Sequence, residues 1–214
     1  MDDRELLGHV TQIWDRDILP TLTEYISIPN VSPVFEHEWA ELGHMQRAVD
    51  LLADWCRARP IPGLTVDIHE IPGLTPVILM EIPAANGGPA DDTVLLYGHL
   101  DKQPEVAGWR EGLGPWEPVM DGDRLYGRGG ADDGYSTFAS LACIEAAQAA
   151  GFPHARLVVL IEASEESGSR DLPAHIEALS DKLGQPSLVI CLDSGGADYD
   201  HLWIPTSLPG LLAG

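Results

Sequence analysis

The chain has 214 residues, enough for one domain with a buried core. Hydrophobic residues make up 44% and aromatics 7%, with a mean hydropathy of −0.03, which excludes both a disordered polymer and an all-apolar membrane protein. A formal net charge of −22 at pH 7 excludes a nucleic-acid partner, because no basic stripe exists to neutralise phosphates.

In chain order, residues 3–28 have helical spacing broken at Ile18-Leu19-Pro20, and Ile28-Pro29-Asn30-Val31-Ser32-Pro33 reads as a loop by its prolines. A second amphipathic stretch covers 37–59 and ends at Pro60. Segments 64–71 and 75–82 are extended and rich in β-branched residues, and 84–92 is a Gly/Pro/Asp loop. The apolar run 93–97 predicts a buried strand, 117–126 a hairpin turning at Asp121-Gly122-Asp123, and 136–150 a helix with Gly151 as its stop. Buried strands are expected at 156–163 and 187–192, with a helix at 172–183 between them. Helices alternating with continuous apolar strands predict an α/β fold, a mostly parallel central sheet with helices on both faces, in a single domain 1–214. No apolar run reaches the roughly 20 residues of a membrane span. The start Met1-Asp2-Asp3-Arg4-Glu5 lacks the basic and then apolar pattern of a secretion signal. Cys56, Cys143 and Cys191 form an odd set among apolar neighbours, read as buried free thiols in the cytoplasm, with no membrane partner.

The chemistry-bearing residues fall at the carboxyl ends of the predicted strands, where loops of an open α/β sheet converge. His99 and Asp101 follow the first buried strand. A neutral imidazole is a common zinc ligand and a nearby carboxylate can fix its tautomer, but a histidine capping backbone groups fits equally well. Asp132-Asp133 stands between a glycine-rich turn (Gly127-Arg128-Gly129-Gly130) and a helix, as an N-cap or as a carboxylate bridging two cations; the lysine and spacing of a phosphate loop are missing. Glu165-Glu166 follows the next strand, as a helix-terminal acidic cluster or as a ligand beside a proton acceptor. Asp193 ends the last strand, as turn-former or ligand. One histidine and several carboxylates at successive strand ends suit two cations sharing a bridging carboxylate.

The order His-x-Asp, Gly-Arg-Gly-x-x-Asp-Asp, Glu-Glu and Asp resembles the dinuclear zinc peptidase family of carnosinases and other dipeptidases, aminoacylases and succinyl-diaminopimelate desuccinylases. Gly98-His99-Leu100-Asp101-Lys102-Gln103-Pro104, Leu125-Tyr126-Gly127-Arg128-Gly129 and Glu165-Glu166-Ser167-Gly168-Ser169 are most similar to its dipeptidase branch, and Ile28-Pro29 with Val31-Ser32 matches an early motif. The resemblance implies hydrolysis of a peptide or N-acyl amino acid by water bridging two zinc ions, with Mn2+ or Co2+ as other candidate metals. It implies Asp132 as the bridge, His99 and Asp193 on one metal, Glu166 on the other, Glu165 as the catalytic base and Asp101 orienting His99. It also implies a cis bond after Asp132, a homodimer, and a last ligand histidine beyond an inserted dimerisation domain. That domain is expected to begin about Trp203-Ile204-Pro205-Thr206-Ser207-Leu208, and His201 lies too early to be the ligand. The chain is therefore expected to be the N-terminal part of the catalytic domain, a poor binder of the second metal and nearly inactive by itself. Gly134-Tyr135 stands where the family has a lysine and a glycine.

Overall fold

The computed structural model describes residues 1–195, 198, 201 and 203–205. Helix α1 (Asp3–Ile13) starts on a capping box in which Asp2 Oδ1 accepts from Glu5 N and Glu5 Oε2 accepts from Asp2 N, each at 2.9 Å. The interruption expected at Ile18-Leu19-Pro20 is a widened π-helical turn, Trp14–Ile18. Pro20 then sits in the first turn of α2 (Leu19–Ile26), where a missing N–H is tolerated. The second amphipathic stretch divides at Gly43, whose left-handed backbone (φ 71°) separates α3 (Trp39–Leu42) from α4 (His44–Arg57). In α4, Met45, Ala48, Val49, Leu52, Ala53 and Cys56 recur at three- and four-residue spacing and are all buried.

Among the described residues, five strands form the main sheet in the order β1 (Thr65–His69), β2 (Val77–Ile82), β6 (Arg156–Glu162), β3 (Thr93–His99) and β7 (Leu188–Cys191). β3 is parallel to both β6 and β7, while β2 is antiparallel to β1 and β6, so four of the five strands point the same way. A separate hairpin joins β4 (Val119–Asp121) to β5 (Arg124–Tyr126).

The alternation of side chains along β6 divides the core. Leu157, Val159 and Ile161 join residues of α2, α4 and α5 (Tyr135–Ala149) in the larger cluster. Val158 and Leu160 pack with Leu179 and Leu183, around α6 (Leu172–Ala178) and α7 (Ser180–Leu183). Burial of each such aliphatic side chain stabilises by about 1.5–3 kcal/mol. Helices thus cover both faces, as expected from the continuous apolar strands.

Two glycines let the layers close. A Cβ on Gly98 would lie 2.2 Å from Ser136 Oγ, and one on Gly134 would lie 2.2 Å from the Tyr25 ring. The amino end of α5 therefore approaches β3 and α2 at backbone distance, which brings Asp132 and Asp133 to the end of β3. The cysteine expectation holds only for Cys56, which is buried. Cys143 is exposed on α5, and Cys191 lies on the sheet's edge strand. Among the described residues, no helix is long and apolar enough to cross a membrane.

Candidate metal centre

His99 is fully buried at the end of β3 and its two ring nitrogens meet different surroundings. On one side, Nδ1 lies 3.1 Å from the carbonyl oxygen of Asp101 and 3.4 Å from Asp101 Oδ1. Asp101, also fully buried, accepts from Glu165 N at Oδ1 (3.0 Å), from Glu166 N at Oδ2 (3.0 Å) and from Ser32 Oγ at Oδ2 (2.5 Å). Ser32 Oγ in turn meets Ser167 Oγ at 2.6 Å, and Ser167 Oγ accepts from Val34 N. One carboxylate thereby ties the exit of β3, the Glu165-Glu166 turn and the loop after α2 to the imidazole.

On the other side, His99 Nε2 lies 3.2 Å from Asp132 Oδ1, 3.7 Å from Asp193 Oδ2 and 3.9 Å from Glu165 Oε2. It is inaccessible to solvent and has no hydrogen-bond partner. Two triplets, His99 with Asp132 and Glu166, and His99 with Glu165 and Asp193, each offer ligand atoms within 4.8 Å of one another. A buried, partnerless imidazole nitrogen facing carboxylates is a donor set that fits a divalent cation. Glu166 Oε1 is likewise buried without a partner, while its Oε2 accepts from Gln103 Nε2.

The electrostatics say the same. Burial alone would lower the His99 pKa, but the Asp101 and Asp132 carboxylates override it and raise the imidazole to about 11. The Asp132 carboxyl is held below its ordinary value, chiefly by His99. Burial pushes Glu166 up to about 7, against the opposing Gln103 bond, and it also raises Glu165. The surrounding carboxylates thus favour a positive charge at the His99 position.

Local sequence explains the positions. The chain at Asp132 and Asp133 is not helical (φ −127°, ψ 92° and φ −126°, ψ 22°), and the peptide bond between them is cis, as the resemblance implies. Asp132 is turned toward His99 Nε2, whereas Asp133 is buried and its Oδ2 accepts from the His99 backbone N–H at 3.1 Å. Burial raises the Asp133 carboxyl to about 7. Asp193 follows β7, and Leu192 beside it is held by Tyr97 O and by the Tyr135 hydroxyl.

All six residues singled out in the sequence, His99, Asp101, Asp132, Glu165, Glu166 and Asp193, converge at this place. His201 does not; it is exposed and bonded to Asp198. Gly196 and 206–208 lie outside the described residues.

Sequence reading missed the supports. Ser32 and Ser167 lie inside motifs of the family resemblance but 135 positions apart, and only the fold joins them. Glu162 is buried and accepts from Tyr97, Ser164 and Ser169, with burial raising its carboxyl. Lys102 is fully buried, and Nζ donates to Tyr25 O and Ile28 O at 2.8 Å and to Ile26 O at 3.4 Å, fastening the end of α2 below the site. Burial pulls the Lys102 pKa down, while the Tyr25 ring 4.0 Å from Nζ and the three carbonyls favour the ammonium. Trp109 and Trp116 lie under Arg128 and Lys102 respectively.

Comparisons with known proteins agree with this geometry. The chain is 30% identical over 154 residues to the Cys-Gly metallodipeptidase dug1 of Schizosaccharomyces pombe, covering 70% of this chain and 30% of that one. It is 31% identical over 147 residues to the human Beta-Ala-His dipeptidase, covering 66% and 26%. The crystal structure of human carnosine dipeptidase 1 superposes with a TM-score of 0.67 at 25% identity, over 94% of this chain and 41% of that one. The chain thus spans about a third of the length of these relatives. The model of peptidase family M20/M25/M40 matches residues 95–210, which include every residue of the cluster around His99, and the chain belongs to that family.

Proposed function

We propose that this chain is the N-terminal part of the catalytic domain of a metal-dependent dipeptidase that uses two zinc ions and works in the cytoplasm as a homodimer on small peptides. The observation that carries the reading is the buried, partnerless Nε2 of His99 set 3.2–3.9 Å from three carboxylates. The dipeptidase names of the relatives support the substrate class, and the fraction of those relatives covered supports the reading as one part of a longer catalytic domain. Mn2+ and Co2+ suit the same donors.

Asp132, which shares a triplet with His99 and Glu166, would bridge two ions as the family resemblance implies, with His99 and Asp193 on one and Glu166 on the other. Bound divalent ions would supply Lewis acidity toward the scissile carbonyl and make water more acidic. Glu165, half-buried and raised in pKa by that burial, would take the proton from water and return it to the leaving amine. Asp101 would keep the imidazole turned so that Nε2 faces the metal.

Metal content by mass spectrometry after zinc dialysis tests the centre. About one tightly held zinc per chain, lost in Asp132→Ala, is expected; no zinc above background in the unsubstituted protein overturns the reading. Amine release from Cys-Gly and β-Ala-His by the zinc-loaded parent protein tests the reaction. Cleavage of N-acetyl amino acids but not of dipeptides would replace dipeptidase with deacylase.

A further inference from the structure

Away from the strand ends, a cleft of about 320 Å³ opens between α1, the π-helical turn, the end of α4 and α5. Glu145 enters it from α5, about 15 Å along the helix from Tyr135, and is only 9% exposed. Its Oε1 stands 3.7 Å from His9 Nε2 and its Oε2 3.9 Å from Arg59 Nη1, both too long for hydrogen bonds. Arg59 is fixed from elsewhere. Its Nη1 donates to Asp17 Oδ2 at 3.1 Å, and its Cζ lies 4.5 Å from the centre of the Trp55 ring.

Three polar atoms in this cleft, His9 Nε2, Arg59 Nε and Glu145 Oε2, are shut off from solvent and have no hydrogen-bond partner. Buried polar groups are ordinarily satisfied, and gaps of this length are those that an inserted polar group fills. At the rim, exposed Arg16 makes no hydrogen bond or ion pair with any described residue.

The charges select the class of ligand. Asp17 is already engaged by Arg59, which leaves the Glu145 carboxylate beside the Arg59 guanidinium without a hydrogen bond to it, with Arg16 on the same cleft lining. A simple anion would meet Glu145, and a simple cation would meet the arginines. A molecule with both charges a few ångströms apart satisfies both ends. We propose that the cleft is a second binding site, for a small zwitterion of the free α-amino-acid class. Its carboxylate sits on Arg16 and Arg59 and its ammonium on Glu145. The volume lies at the small end of the range for ligand pockets, as such a molecule requires.

Calorimetric titration of metal-free protein with L-alanine, acetate and methylamine tests this independently of the metal centre, since no zinc is present to capture a carboxylate. Saturable alanine binding is expected, with acetate and methylamine at least roughly tenfold weaker, because each leaves one charged partner unmet. Arg16→Ala and Glu145→Gln should each weaken alanine at least roughly tenfold. Arg16 is exposed, so its variant keeps the test decisive even where Glu145→Gln disturbs folding. Absence of saturable alanine binding, alanine binding unchanged by Arg16→Ala, or acetate binding as tightly as alanine each overturns the proposal.

Discussion

The two nitrogens of His99 face two regions built on opposite principles. On the Nδ1 side, Asp101 is dry, and three protein donors use up its oxygens. On the Nε2 side, Asp132, Asp193 and Glu165 are partly exposed, with side-chain exposures of 55%, 32% and 33%, and they converge on an atom that has no hydrogen bond. A carboxylate whose lone pairs are consumed by the protein acts as framework. One whose lone pairs remain open can act as ligand or base. Sequence alone shows only that both kinds are acids.

The contrast predicts a graded series of effects. Glu165→Gln in the parent protein, on the open side, should lower kcat by about 10²–10⁴-fold while leaving zinc content unchanged, because it removes a proton acceptor and no structural contact. Stopped assays with parallel metal analysis check this, and parallel loss of zinc would make Glu165 a ligand instead. Asp101→Asn, on the closed side, should weaken zinc about 10–100-fold through misorientation of His99. Competition against a chelator measures it, and an unchanged affinity breaks the division between frame and ligand. Lys102→Met should cost about 1–3 kcal/mol of stability, since the carbonyls of Tyr25 and Ile28 lose their buried donor. Denaturant unfolding reads that loss, and a neutral substitution would mean that the end of α2 needs no fastening.

The proposed ligands His99, Glu166 and Asp193 were legible because each combines an ionisable residue with the end of an apolar strand, a pairing that burial energetics makes rare without a reason, and Asp132 because it follows a glycine-rich turn. Their supports were not. Ser32 and Ser167 are ordinary loop residues until β3 and the Glu165-Glu166 turn bring them to 2.6 Å. The direction of β2 was equally hidden, because Val77–Ile82 carries the same apolar run whichever way it pairs, and only the fold makes it antiparallel to β6. Asp132 and Asp133 were read together as a cap or a bridge. Their side chains divide the work, one facing His99 Nε2 and the other accepting from the His99 amide; only the family resemblance singled out Asp132, and the residues by themselves offer no signal for the role of Asp133.

His175 extends the comparison to a histidine closed on both sides. It is fully buried on α6; Nε2 meets Thr75 O at 2.8 Å and Nδ1 meets His69 Nδ1 at 2.8 Å. The carbonyl needs a donor, so Nε2 carries the proton and Nδ1 accepts from His69. Burial lowers the His175 pKa, with the Thr75 bond and Asp171 opposing and His69 adding to the fall. A depressed value in the folded state means that this histidine's contribution is fully present above the unfolded value of about 6.5 and is lost as pH falls through the folded one. Melting temperatures measured between pH 8 and pH 5 should therefore drop on the acid side. The difference between the protein and a His175→Gln variant isolates this residue from the many carboxylates that titrate in the same range. A narrowing difference toward acid pH is expected. A difference that stays constant would mean that His175 accepts a proton in place, and that closure of both nitrogens does not keep a histidine neutral here.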